Sequence, residues 1–327
     1  MYENAPLFAM LGLLYFAVLL SFIRGSKFLT LTILFFFAVS YLLYSSGRVG
    51  GVDTPFYRQV FGTERCGIFE YGFHQLCRLD SPSGFSFIFL ISSILLIFSI
   101  YRSCENYRVL AMSFLIMFPT YFVIVDMGYL RQSIGASVLL IFCFNQENKK
   151  IRFIGYVIAP FFHIASFILI FFFELYHSSK KTNIVVVAAG AILITISVAM
   201  VNKFIEGGIA GLLTAHLSLK SIVQLIFLLL LNVIASIQFQ WRARVTLFVT
   251  VVCVVGYFGH FYRVYLYLFP IIAFGVAGFL VESKIKIRLF ATSILMVFGF
   301  YKLSATIYNF DGAFDIPYSE NLLLWFY

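Results

Sequence analysis

FIGYVIAPFFHIASFILIFFFELY, residues 153–176, is a run of 24 residues broken by few polar side chains, His163 among them. Length alone would make it a single transmembrane helix. Charge placement argues against that. With Arg24 and Lys27 on the cytoplasmic side, alternate crossing also puts the loops 102–108 and 145–152 inside. If residues 153–176 crossed once, Lys180, Lys181, Arg242, Arg244, Lys284, Lys286 and Arg288 would all fall outside, against the cytoplasmic bias of basic residues in short loops. If the stretch enters and returns, all seven fall inside, and 14 of the 23 Lys+Arg gather in six short loops on one side. At about 1.5 Å per residue the stretch cannot cross twice. The expectation is therefore two half-helices, Phe153–Pro160 and Ile164–Tyr176, joined near His163 as a re-entrant pair. Such a break is tolerated at membrane depth only inside protein or beside a wet cavity.

The flanking sequence fits this reading. The chain of 327 residues is 62% hydrophobic and 11% charged, whereas soluble domains run near 25% charged. Its 42 Phe and 20 Tyr suit lipid contact and interfacial belts. Apolar runs of roughly 17–24 residues recur along the chain, each long enough to span the hydrocarbon. The fold class is an all-α polytopic membrane protein of about ten transmembrane helices plus one re-entrant helix pair. Residues 1–327 read as one integral membrane domain, with both termini outside. The first apolar run lacks the basic start and small-residue end of a cleavable signal peptide. The net charge of +9 does not indicate nucleic acid, because the basic residues are spread over short loops rather than gathered in a patch.

The topology puts unusual charge on the outer face. Residues 47–84 form a sizeable outer loop, with Phe56, Tyr57, Phe61, Phe69, Phe73 and Leu76 at helical spacing. That spacing predicts short amphipathic helices lying on the membrane surface. The tail 307–327 ends in the aromatic anchor LLLWFY. Arg131 and Gln132 open one apolar run and Arg263 opens another, both on the outer side. An arginine there is either an anchor at the interface or a ligand for phosphate, to which its guanidinium offers paired donors. His163 reads either as a satisfied core histidine or as a general base of suitable intrinsic pKa. Asp53, Glu70 and Asp126 read as turn-formers or as assisting carboxylates. Cys66 and Cys77 share the outer loop, eleven residues apart, and pairing stays open. No metal-ligand spacing and no phosphate-cradling loop occur, so neither a metal nor another cofactor is expected.

The order of these motifs carries a resemblance. Gly51, Asp53 and Tyr57 form an outer G-x-D-x-x-x-Y, followed by E-x-G-F (Glu70, Gly72, Phe73). Arg131-Gln132 follows with Gly135 and Ala136, then a Lys-Lys loop and FH-x-A-S (Phe162, His163, Ala165, Ser166). Arg263 and Tyr267 form R-x-x-x-Y, and Pro317–Ser319 close the series. From about residue 40 onward the chain resembles the EpsG-type branch of the Wzy O-antigen and surface-polysaccharide polymerases. Gly135 departs from that pattern, where Ala is more usual. The resemblance implies a glycosyltransferase-C-like membrane enzyme of the bacterial inner membrane, active on its periplasmic face. It implies transfer of a growing glycan from undecaprenyl diphosphate to a new undecaprenyl-diphosphate-linked repeat, without a metal, in the synthesis of lipopolysaccharide O-antigen or a similar polymer. Donor and acceptor lipids and the bilayer are the implied partners, with a chain-length regulator protein as a further candidate. On this reading His163, Asp53 and Glu70 are the catalytic candidates, and Arg131, Gln132, Arg263, Tyr57 and Tyr267 hold the diphosphate and sugar. Two other classes compete. A lipid-linked-glycan flippase usually shows two similar halves, and no internal repeat is visible. A membrane O-acyltransferase of surface glycan would draw acyl-CoA from the cytoplasm, opposite to the charged outer face.

Overall fold

The computed structural model describes residues 5–47, 57, 59–80, 86–127, 129–178, 184–205, 219–258 and 265–309. Among them there is no strand. The helices are α1 (Ala5–Ser21), α2 (Lys27–Gly47), α3 (Tyr71–Leu79), α4 (Phe87–Ser103), α5 (Tyr107–Met117, continued by a π-helical Phe118–Asp126), α6 (Leu130–Cys143) and α7 (Lys149–Phe162). They continue as α8 (Phe167–His177), α9 (Ile184–Ile205), α10 (Leu219–Gln238), α11 (Ala243–Phe258), α12 (Phe269–Glu282) and α13 (Ile285–Asn309). Among the described residues, three of these segments are long and apolar enough to cross a membrane, and eight shorter stretches of apolar helix accompany them.

Burial separates the long helices. Tyr107–Asp126 is 83% buried, against 33% for Lys27–Gly47 and 22% for Ile285–Ile307. The first is the central post, and the other two leave apolar faces for lipid. Asn106 starts the post by accepting from the Arg108 and Val109 amides, both at 3.0 Å, the usual role of an N-cap asparagine. Pro119 sits in the first turn of the π-helical part. It has no N–H to give the ordinary helical ladder, and the wider turns begin there. An aromatic cluster ties α2 to this post: the Tyr41 and Phe122 rings lie 4.8 Å apart, and those of Phe37 and Phe118 lie 5.5 Å apart.

Helices α7 and α8 form a hairpin whose ends are fixed by polar contacts. Arg152, near the start of α7, donates to the Gln146 carbonyl at 2.9 Å. His177, ending α8, meets the Cys143 carbonyl at 3.1 Å. Both hairpin ends therefore lie at the C-terminal end of α6. Arg242 and Arg244 donate to the Ser178 carbonyl at the same end. The turn between α7 and α8 lies at the opposite end, beside Arg131. The helix boundaries differ from the sequence expectation. Pro160 lies inside the last turn of α7 rather than closing it, and the backbone leaves the helix at His163, with φ −159° and ψ 122°.

Residues 57–80 differ from expectation in where their aromatics face. Phe61 and Phe73 are fully buried, and Tyr57 and Phe69 nearly so. They form a second core with Ile88 and Phe89 of α4 and Leu130 and Ile134 of α6. The apolar face of α3 is covered by protein. Cys66 and Cys77 are disulfide-bonded, which folds the segment over these helix ends. Asp80 then receives the Phe87 and Ile88 amides, each at 3.2 Å, and so anchors the segment to the start of α4.

Candidate active site

Glu70 stands at the N-cap position of α3 but makes no side-chain cap. Its carboxylate turns to other elements instead. Oε2 accepts from Arg131 Nη1 of α6 at 2.7 Å. Oε1 lies 3.1 Å from His163 Nδ1 and accepts the Ile164 amide at 3.3 Å. One carboxylate thus bridges the start of α6 and the tip of the α7–α8 hairpin. A carboxylate is an acceptor only, so the neutral His163 carries its proton on Nδ1 and its lone pair on Nε2.

Two glycines permit this approach. A Cβ on Gly72 would stand 3.0 Å from the Phe161 carbonyl oxygen, and one on Gly135 would stand 2.6 Å from Ser166 Oγ. The first seats α3 on the end of α7, and the second seats the hairpin turn on α6. The smaller residue at position 135, a departure from the resemblance above, is what this contact requires.

The remaining walls are aromatic. The Arg131 guanidinium lies over the Phe69 ring at 5.0 Å, a favourable cation–π placement, and hydrogen-bonds the Tyr57 hydroxyl. Tyr267 packs its ring 6.0 Å from that of His163, and its buried hydroxyl senses both Glu70 and Arg131. The charged groups stay partly open, with side-chain exposures of 24% for Arg131, 19% for Glu70 and 12% for His163. Burial pushes the Glu70 carboxyl up, but the His163 hydrogen bond and the Arg131 charge outweigh it and hold the group at about 2. Glu70 is thus a permanent anion at working pH and a weak base.

The structure therefore brings together Glu70, Arg131, His163, Tyr57 and Tyr267. Gln132 follows Arg131 on α6 and is buried. Asp53 and Arg263 lie outside the described residues. Among the described residues no three His, Cys, Asp or Glu gather as a metal set.

A family model described as the EpsG family matches residues 28–319. This chain belongs to the EpsG family. No curated relative and no solved structure matches it. The EpsG match spans α2 through α13 and so takes in every group of the site.

Of a second polar cluster in this EpsG-family chain, sequence reasoning named only Asp126, as a turn-former or assisting carboxylate, and not its partners. Asp126, fully buried, accepts from Tyr41 at 2.7 Å, Ser92 at 2.5 Å, Ser93 at 2.6 Å and Ser133 at 2.6 Å. These donors come from α2, α4 and α6, and Ser45 extends the set through Ser93 at 2.7 Å. Ser133 is two residues beyond Arg131, so the cluster sets where α6 begins. The paired serines of α4 were the available signal, but serine in an apolar helix commonly bonds its own backbone.

Proposed function

We propose that this EpsG-family protein is a membrane polysaccharide polymerase. It transfers a growing glycan from undecaprenyl diphosphate to the terminal hydroxyl of a new undecaprenyl-diphosphate-linked repeat, in O-antigen or a similar surface polysaccharide. The observation that carries the reading is the single Glu70 carboxylate joining a phosphate-type ligand, Arg131, to a base-type group, His163.

The chemistry follows from those positions. The acceptor oxygen attacks the anomeric carbon of the donor and forms the new C–O bond. The bond to the diphosphate breaks, and its electron pair leaves with the diphosphate. The acceptor proton passes to His163 Nε2, while Glu70 holds Nδ1–H and stabilises the imidazolium, the arrangement used by carboxylate–histidine pairs elsewhere. Arg131, steered by Tyr57 and Phe69, faces the charge that develops on the leaving diphosphate. The positive charge is supplied by side chains, so chelators leave turnover unchanged on this reading. Gln132 and Tyr267, both buried, back the charged groups, and Asp53 and Arg263 are assigned to the same face.

The placement is also proposed. The α7–α8 hairpin enters from the cytoplasmic face of the inner membrane and returns, among about ten full spans. The site then faces the periplasm, where the Cys66–Cys77 disulfide suits an oxidising compartment. The purified protein, reconstituted with one defined lipid-linked repeat, tests the reading. A ladder of lengthening glycan on a gel is expected. Intact repeat with no ladder, or repeat merely moved across the bilayer, contradicts it.

A further inference from the structure

A cavity of about 320 Å³ lies between α5, α10, α12 and α13. Its deeper walls are apolar: Leu115 of α5, Leu228 and Leu231 of α10, Val276 of α12 and Leu295 of α13. One end is different, and there Thr120, Tyr265, Tyr301 and Lys302 line it. Lys302 lies inside the apolar span Ile285–Ile307, where an ammonium is costly and usually placed for function.

The polar end points the same way as the candidate active site. Helix α13 starts at the end opposite that site, where Arg288 lies 5.0 Å over the Phe22 ring that follows α1. Lys302 is seven residues beyond Leu295, about 10 Å further along the helix. Helix α5 runs the same way, from its Asn106 cap to Asp126, so Thr120 is nearer the site than Leu115. Tyr265 precedes by two residues Tyr267, whose ring lies against His163. On the lipid side, Phe227 of α10 and Phe298 of α13 meet with ring centroids 5.5 Å apart, and both stay exposed at 38%. Both line the cavity.

We propose that this cavity holds the prenyl segment next to the phosphate of one lipid-linked glycan, with the Lys302 ammonium against that phosphate. The inference rests on the polymerase reading and adds where one lipid substrate lies. The volume is that of a small-ligand pocket, and an apolar cavity that has Lys302 as its cation among the described residues fits one chain on one phosphate. A two-chain phospholipid would leave an acyl chain outside. Tyr265 at the polar end is two residues from Tyr267, which packs against His163, so a phosphate at Lys302 lies on the side of Arg131, which a bilayer phospholipid has no reason to approach.

The test is photolabelling of the full-length protein in phosphatidylcholine nanodiscs, using a polyprenyl diphosphate that carries a benzophenone near its head. Labelled peptides should come from α12 and α13, and unlabelled polyprenyl diphosphate should displace them while phosphatidylglycerol should not. Leu231→Trp, which fills the cavity, and Lys302→Met should each lower labelling about tenfold, equivalent to roughly 1.4 kcal/mol of binding. Lys302→Arg should retain most of it. Labelling that maps elsewhere, or that phosphatidylglycerol displaces equally well, overturns the inference; the wild-type map alone decides this should a variant misfold. The two readings fail separately. Specific labelling here without a glycan ladder removes the polymerase reading and keeps the lipid site. A normal ladder from Leu231→Trp does the reverse.

Discussion

Two carboxylates sit at the head of α6 in opposite settings. Asp126 is sealed and receives four neutral hydroxyls. Glu70 is partly open and meets a guanidinium and an imidazole. The first arrangement spends every acceptor site of the carboxylate on the fold, joining α2, α4 and α6 where no water can reach. The second holds two groups that have chemistry of their own and leaves them within reach of a ligand. The donors a carboxylate gathers, more than its depth, separate a structural carboxylate from a functional one here.

Substitutions should divide along that line. The largest effect on turnover is expected at His163. His163→Ala should cut polymer formation by about 10²–10⁴-fold, the usual worth of a positioned base, with normal accumulation in the membrane. A near-silent His163→Gln would return His163 to a core role and erase the contrast. Arg131→Lys keeps the charge but loses the paired donors and the flat face over Phe69. A fall of about 10²-fold in turnover is expected, a loss typical of one missing transition-state donor, and binding of donor lipid should weaken with it. Full activity in Arg131→Lys would remove it from the diphosphate site.

Asp126→Asn should behave in the opposite sense. One accepting oxygen remains for four hydroxyls, and each buried group left unpaired costs about 1–3 kcal/mol. Thermal unfolding should move down and yield should fall, while turnover per folded molecule stays near wild type. A loss of turnover at unchanged stability would place Asp126 in the chemistry.

The helix break at His163 and its nearness to Arg131 were legible in the sequence, because a single crossing by residues 153–176 would set the later basic loops against the usual charge bias. Arg131 and His163 were therefore found from local signals. The Glu70 bridge was not, since Glu70 is 61 residues from one partner and 93 from the other. Nothing in a short E-x-G-F motif states which helix ends it will meet. The inward face of Tyr57, Phe61 and Phe73 was misjudged for a related reason. An amphipathic pattern gives the apolar face but not whether lipid or protein covers it. The Asp126 cluster draws its serines and tyrosine from separate apolar runs, each ordinary by itself.

A smaller effect tests the Glu70 side of the comparison by acid. The Glu70 carboxyl is held at about 2 in the folded protein, below its ordinary 4.5. Its contribution to stability is complete above about pH 4.5 and drains away as pH falls toward 2. Wild type should therefore lose more thermal stability than Glu70→Gln between pH 6 and pH 3. Equal losses would mean that the Arg131 and His163 contacts add little to the fold.

The most direct measurement of the central claim is the pH–rate profile of polymerisation for wild type, His163→Ala and Glu70→Gln under one set of lipid conditions. A neutral imidazole acting as base gives activity that rises with pH as the ring loses its proton, at a pH that the Glu70 anion moves upward. That limb should vanish in His163→Ala. In Glu70→Gln it should persist but move to lower pH, because the variant removes the anion that favours the imidazolium, and the plateau should fall about tenfold as the ring loses its orienting partner. A rising limb that survives in His163→Ala, or one that does not move in Glu70→Gln, would contradict the account.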